Sequence, residues 1–329
     1  MNLSLSSKSD SMSITLKKVL DEFTLLNETT KEHYAVILIK VMINLITNSK
    51  EMTMQGLTHE IKTAGEYLIN HAQAGHGRSE LVLRSTLTIY QHYISKGLQH
   101  SKADSMEALK SSLIEISQEL IDIINRSKDN IKTQCLKFFN NRFKVLVVGY
   151  SNVVIYSLIE AFKAGIVMQI YIPECRPKSE GIETYRQLTE IGYPCKLIFD
   201  SAIGQVMENI DMVLTGAEAV VENGGIINRV GTYTTAICAK FQKKPFYVLA
   251  ESFKFTRLFP LSQKDLSDSI RYSQEEPSFS EKLKLPENLD LINPLCDYTP
   301  PDLITLLFTD VGVFTPSAVS EELIQIFHT

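Results

Sequence analysis

FKVLVVGYSNVVIYSLIEAFKAGIVMQIYIPE, residues 143–174, decides the fold class. Its first eight residues, FKVLVVGY, form a continuous β-favouring run; NVVIYSLIEAFKAG is amphipathic; VMQIYIPE (167–174) is a second apolar run. A strand, a helix and a strand in this order, with both strands apolar throughout, predict a parallel βαβ unit whose sheet is covered on both faces. The pattern continues through CKLIFD (195–200), DMVLTGA (211–217) and PFYVLAE (245–251), each separated by polar or helix-like sequence. The expected fold is therefore α/β, with a Rossmann-like, doubly wound and mostly parallel sheet over residues 141–329. Ligands of such sheets bind at the carboxyl ends of the strands. Tyr150, Glu174, Asp200, Glu218 and Glu251 fall at or just after those ends.

Upstream, residues 1–140 read as an all-helical domain. In SMEALKSSLIEISQELIDII the apolar positions Met106, Leu109, Leu113, Ile116, Leu120 and Ile123 recur at steps of three and four, one stripe of a helix. Shorter helical patterns cover 14–26, 32–47, 56–72 and 79–97, with Ser79 placed to cap the last. The segment YAVILIKVMINLI (34–46) is apolar almost all round but interrupted by Lys40 and Asn44. It is shorter than the roughly 20 residues a bilayer span needs and is expected inside the helical domain. Beyond the sheet, 264–290 is polar and reads as an exposed connection. TPPDLITLL (299–307) and TPSAVSEEL (315–323) each place Pro after a capping Thr, which predicts two short closing helices.

The chain has 329 residues, 44% of them apolar, and a net charge of −5. That balance supplies no broad positive field for a phosphate backbone, so direct nucleic-acid binding is not expected. The five cysteines, Cys135, Cys175, Cys195, Cys238 and Cys296, are scattered and form no zinc-spaced pair, which suits reduced, mostly buried thiols. The seven histidines form no clustered ligand pattern, and no metal is expected. His59 and His71 read as helix-surface groups. A Ser-rich start without an apolar core or a basic flank is unlike a secretory leader. Together these readings predict a cytoplasmic protein with no membrane association.

TGAEAVVENGGIINRVGTYTTA (215–236) starts at a strand end and finishes in a helix. Gly224 and Gly225 permit close backbone approach, and Asn228, Arg229 and the amides around Gly231 and Thr232 lie where a helix N-terminus would attract an anion. A sugar-phosphate pocket is the ligand site this run suggests, with Glu218 accepting from sugar hydroxyls. Taken singly, Glu218 or Arg229 could equally be half of an ion pair. The dinucleotide fingerprint is absent, because the first strand runs into VVGYSNVV.

GAEAVVENGGIINRVGTYTTAICAKFQKKPFYVLAESFKF and NPLCDYTPPDLITLLFTDVGVFTPSAVSEELI closely resemble the alpha-type subunits of eukaryotic translation initiation factor 2B, and TMQGL (53–57) resembles their T-x-Q-G-L step. The same framework is similar to the isomerases of methylthioribose 1-phosphate and ribose 1,5-bisphosphate, through GAE, NGGIINRVGT and NPLCDYTP. Those isomerases use a cysteine after the first sheet strand and an aspartate in G-A-D, a pair suited to moving protons between adjacent sugar carbons. Here Gly149 stands at the cysteine's place and Glu218 at the aspartate's. The resemblance thus implies a chain with no catalytic residues, whose pocket keeps Asn228 and has Arg229 in place of a lysine.

The resemblance further implies a regulatory subunit of the guanine-nucleotide exchange factor for translation initiation factor 2. Such a subunit forms a homodimer and joins beta, gamma, delta and epsilon subunits in a decamer, exchange itself residing in epsilon. Its helical domain helps receive the phosphorylated alpha subunit of initiation factor 2. Thr53 is the residue expected on that surface, with an N-cap as its other reading, and Phe327 stands where relatives can carry a tyrosine at a C-terminal contact. An active sugar-phosphate isomerase and a metabolite-sensing binding protein are the alternatives.

Overall fold

The computed structural model describes residues 3–30, 32–71, 80–100, 104–272 and 292–328, without the side chains of 3–13, 100 and 324–328. The chain divides into two compact units, Met1–Asn125 and Arg126–Thr329.

The first unit is helical: α1 (Leu3–Thr29), α2 (Tyr34–Asn48), α3 (Met54–His71), α4 (Glu80–His100) and most of α5 (Met106–Cys135). The apolar segment 34–46 forms α2, and Val36 to Ile39, Val41, Met42 and Ile46 are all buried. Lys40 escapes that environment by pairing with Glu32 at 2.6 Å. Leu109, Leu113 and Leu120 of the expected α5 stripe are buried, but Ile123 is exposed and the buried line continues through Ile121 and Ile124 instead. A straight helix at 3.6 residues per turn drifts away from a strict three-four repeat, which moves the stripe by one residue over this length. The expected Ser79 cap lies outside the described residues. Among the described residues no helix is long and apolar enough to cross a membrane.

The second unit contains the sheet the sequence predicts. Its strands are β1 (Lys144–Val148), β2 (Gln169–Pro173), β3 (Cys195–Ile198) and β4 (Met212–Thr215), then, after β5 (Ala219–Val221) and β6 (Ile226–Arg229) of a second sheet, β7 (Phe246–Leu249). The helices are α6 (Asn152–Lys163), α7 (Glu180–Glu190), α8 (Ile203–Met207) and α9 (Thr232–Phe241). Continuing along the chain are β8 (Phe255–Thr256), α10 (Asp268–Arg271), β9 (Cys296–Thr299), β10 (Leu306–Phe308), β11 (Val313–Phe314) and α11 (Pro316–His328). The main sheet runs β11-β10-β7-β4-β1-β2-β3, parallel except for the β10–β11 pair. Val145, Val147, Ile170 and Leu214 of its strands are buried with Leu158 of α6 and with Ile131 of α5.

Two features depart from expectation. TPPDLITLL makes only a 3₁₀ turn at Pro301–Leu303, because Leu306–Phe308 is drawn into the sheet beside β7. Moreover, AVVENGGIINR contains two strands not anticipated between the strand end and the helix: β5 and β6 form an antiparallel hairpin inside a second sheet, ordered β8-β5-β6-β9. The closing helix expected from TPSAVSEEL does form, as α11.

Candidate functional site

After β3 the chain crosses back over β1 to place β4 on its other side, so the carboxyl ends of β1 and β4 flank the crevice where doubly wound sheets hold ligands. Gly149 ends β1 with φ +78°, and a Cβ built on it would meet nothing within 4 Å. The position has room but no reactive group. A thiol does come near from the neighbouring strand: the Gly149 N–H donates to Cys175 Sγ at 3.3 Å. Burial pushes that thiol up to about 12, so it stays protonated at neutral pH and is no nucleophile.

Glu218 follows β4, and Arg229 ends β6. Arg229 Nε lies 3.2 Å from Glu180 Oε1 and 3.6 Å from Glu218 Oε1. One guanidinium thus serves two carboxylates, and all three side chains are largely shielded from solvent. Burial raises Glu180 above the usual carboxylate range, Arg229 pulls it back down, and Glu218 pushes it up again. Glu180 opens α7 and was not among the residues singled out by sequence; nothing in its local stretch distinguishes it from other helix-starting acids. The cation beside Glu218 is thus Arg229 of the same chain, and the carboxylates beside Arg229 are largely buried.

The other expected residues divide. Asn228 is buried and donates through Nδ2 to Thr215 Oγ1 at 3.0 Å and to Thr232 Oγ1 at 3.1 Å. It staples the end of β4 to the first turn of α9. Thr232 Oγ1 in turn donates to Arg229 O at 2.7 Å. Gly231 precedes α9 with φ +99°. The amides expected to attract an anion are already occupied: Asp297 Oδ2 on β9 accepts from Gly231 N at 2.7 Å and from Tyr233 N at 3.1 Å. Gly224 and Gly225 lie at the hairpin tip, the far end of β6 from Arg229, roughly 13 Å along the strand at its usual rise. Their missing side chains make room for protein: a Cβ on Gly224 would stand 2.0 Å from Pro316 O, and one on Gly225 2.6 Å from the Tyr298 ring.

Two further strand-end carboxylates have structural partners. Asp200 accepts the Cys175 and Arg176 amides, each at 2.8 Å, and so anchors the loop between β2 and α7. Glu251 is buried and pairs with Lys254 at 2.8 Å. In the helical unit, Thr53 is exposed, and its hydroxyl accepts from Gly56 N at 3.1 Å, capping α3. Phe327 lies in α11 with its side chain outside the described residues. All five cysteines are free, and no group of three or more metal-ligating side chains exists among the described residues.

A model of the family described as "Initiation factor 2 subunit family" matches residues 27–316. The chain belongs to the initiation factor 2 subunit family. "Translation initiation factor eIF2B subunit alpha" of Dictyostelium discoideum is 36% identical to it over 92% of this chain and 94% of the relative. The protein of the same name from Caenorhabditis elegans is 38% identical over 64% and 67%, respectively. These relatives make the chain a translation initiation factor subunit of the eIF2B kind. Among solved structures, the tetrameric eIF2B-beta2-delta2 complex from C. thermophilum superposes with a TM-score of 0.73 at 18% identity, covering 99% of both chains. The 5-methylthioribose 1-phosphate isomerase from Pyrococcus horikoshii OT3 gives 0.67 at 20% identity, covering 94% of this chain and 87% of the isomerase. At such identities both show the family's fold alone, helical region followed by mostly parallel sheet.

Proposed function

We propose that this chain is the alpha-type, regulatory and non-catalytic subunit of the guanine-nucleotide exchange factor for translation initiation factor 2, working in the cytoplasm. The observation that carries this reading is the 36% identity to a eukaryotic alpha subunit sustained over nearly the whole of both chains. Loss of isomerase chemistry is supported by the site itself: Gly149 has no group to move a proton, and the nearby Cys175 thiol is buried and neutral. The chain forms a homodimer, bridges two sets of beta, gamma, delta and epsilon subunits into a decamer, and helps receive the phosphorylated alpha subunit of initiation factor 2 on its helical unit. Thr53, exposed at the start of α3, and Phe327, near the end of α11, are the contact residues proposed on the two units.

The switch-point pocket has a second role as a sugar-phosphate site without turnover, built on Arg229, Glu218 and Glu180, the Gly231 and Tyr233 amides being engaged by Asp297. A ligand held there stabilises the folded form by mass action. Light scattering after size-exclusion chromatography tests the principal reading. A dimer that converts two beta-gamma-delta-epsilon tetramers into one decamer supports it. A chain that ignores those subunits, yet turns over ribose 1,5-bisphosphate or methylthioribose 1-phosphate, would replace it with the isomerase reading.

A further inference from the structure

Asp297 takes the place at the N-terminus of α9 that an anionic ligand would otherwise occupy. It lies on β9 opposite Asn228, and its neighbour Cys296 lies opposite Arg229. Its Oδ2 gathers the Gly231 and Tyr233 amides, while its Oδ1 is buried with no hydrogen-bond partner. The side chain thus holds the turn that begins immediately after Arg229. We propose that Asp297 is the positioning residue of the switch-point pocket: it supplies internally the negative charge that α9 demands and fixes the Arg229–Tyr233 turn.

Three observations carry this. The helix N-terminus is a place where backbone donors need an acceptor. The acceptor present is a carboxylate on a different sheet strand, so the contact ties β9 to the start of α9 and sets where the intervening Arg229 stands. The unpartnered Oδ1 is where a proton can bind without displacing either amide. Burial raises this carboxyl to about 7, against the amides of Tyr233, Gly231 and Thr232, which favour the charged form. The ionisable neighbour that senses it is Cys296 on the same strand, which also senses Arg229 on β6 and Glu218 after β4. Because the folded turn favours the protonated carboxyl, it is held most firmly below neutrality and loosens as pH rises toward about 7. An anionic ligand group is correspondingly directed away from α9 and toward Arg229.

Hydrogen exchange followed by mass spectrometry tests the assignment on the full chain, using a peptide over residues 230–236 and one over β1 as the internal control. Protection of the turn, corrected for intrinsic exchange, is expected to fall across about pH 5 to 7 in the wild type and to stay flat in Asp297→Asn. Asp297→Ala should lose protection there by at least about tenfold with β1 unchanged. A turn that exchanges in Asp297→Asn with the wild-type pH profile overturns the proposal, and this variant decides even if the alanine variant fails to fold. The second arm rests on the sugar-phosphate reading: affinity for ribose 5-phosphate by calorimetry should fall at least about tenfold in Asp297→Ala and recover to within about threefold in Asp297→Asn. Unchanged affinity in the alanine variant also overturns it. If the wild type binds no ribose 5-phosphate, the sugar-phosphate reading fails by itself, and the exchange arm still judges Asp297.

Discussion

Arg229 Nε stands 3.2 Å from Glu180 Oε1, joining the end of a strand in the smaller sheet to the first residue of a helix on the larger one. Because Glu218 shares the same guanidinium, the site carries two carboxylates and one cation, an arrangement that favours hydroxyl-rich ligands over ligands bearing several phosphates.

Removing the cation should therefore do two things at once. Arg229→Ala leaves Glu180 and Glu218 facing each other, partly buried and uncompensated, and is expected to cost about 2 kcal/mol of stability. Affinity for a sugar phosphate should fall at least about tenfold. Urea denaturation and calorimetry measure the pair of effects. Arg229→Lys should recover most of the stability but not the forked contacts.

Asp297 should leave a mark on the pH dependence of folding. Its carboxyl is held at about 7 in the folded chain, against 3.8 ordinarily. The unfolded chain loses this proton first, so the group's contribution to stability declines as pH rises from about 4 to about 7 and is constant beyond. At ~1.4 kcal/mol per tenfold in proton affinity the ceiling is ~4 kcal/mol. Denaturation midpoints followed across that window should show a slope that Asp297→Asn removes.

Gly224 separates a ligand role from a packing role. Alanine there meets Pro316 O and must also adopt φ +82°. We expect Gly224→Ala to cost about 2–4 kcal/mol while leaving sugar-phosphate affinity, measured below the melting temperature, within about threefold of the wild type. A selective loss of affinity with unchanged stability would return this glycine to the pocket.

Thr53 can be probed without confusing its two roles. Thr53→Ala removes the α3 cap and should cost about 1 kcal/mol. Thr53→Asp keeps a capping oxygen while adding a charge, so its fold should be intact. In a reconstituted exchange assay the aspartate variant is expected to be less inhibited by the phosphorylated alpha subunit of initiation factor 2. Normal inhibition would remove Thr53 from the partner surface.

The βαβ core was legible because its strands are apolar on both faces and its helices are amphipathic: Lys144–Val148, Asn152–Lys163 and Gln169–Pro173 all fall within the expected stretches. The second sheet was not read from the sequence. Its strands Ala219–Val221 and Ile226–Arg229 are too short to show alternation, although the Asn-Gly step between them is a hairpin signal. At the site, Glu218 was found from its place at a strand end and Arg229 from its place just ahead of a helix start. Glu180 and Asp297 were not, since each acts across elements far apart in the chain, and no local pattern records a carboxylate that answers another strand's arginine or another helix's amides.

The hairpin tip has a consequence for how the protein ages. Asn223 followed by Gly224 is the dipeptide most prone to lose ammonia through a cyclic imide, a reaction in which the glycine nitrogen attacks the asparagine side chain. In the folded chain that nitrogen donates to Val221 O at 2.8 Å, and the side-chain amide is held by Pro260 O at 2.7 Å and the Tyr298 hydroxyl at 2.8 Å. Both reacting groups are committed elsewhere. An unfolded chain has no such protection, so the fraction of deamidated Asn223 in a preparation becomes a chemical clock for time spent unfolded.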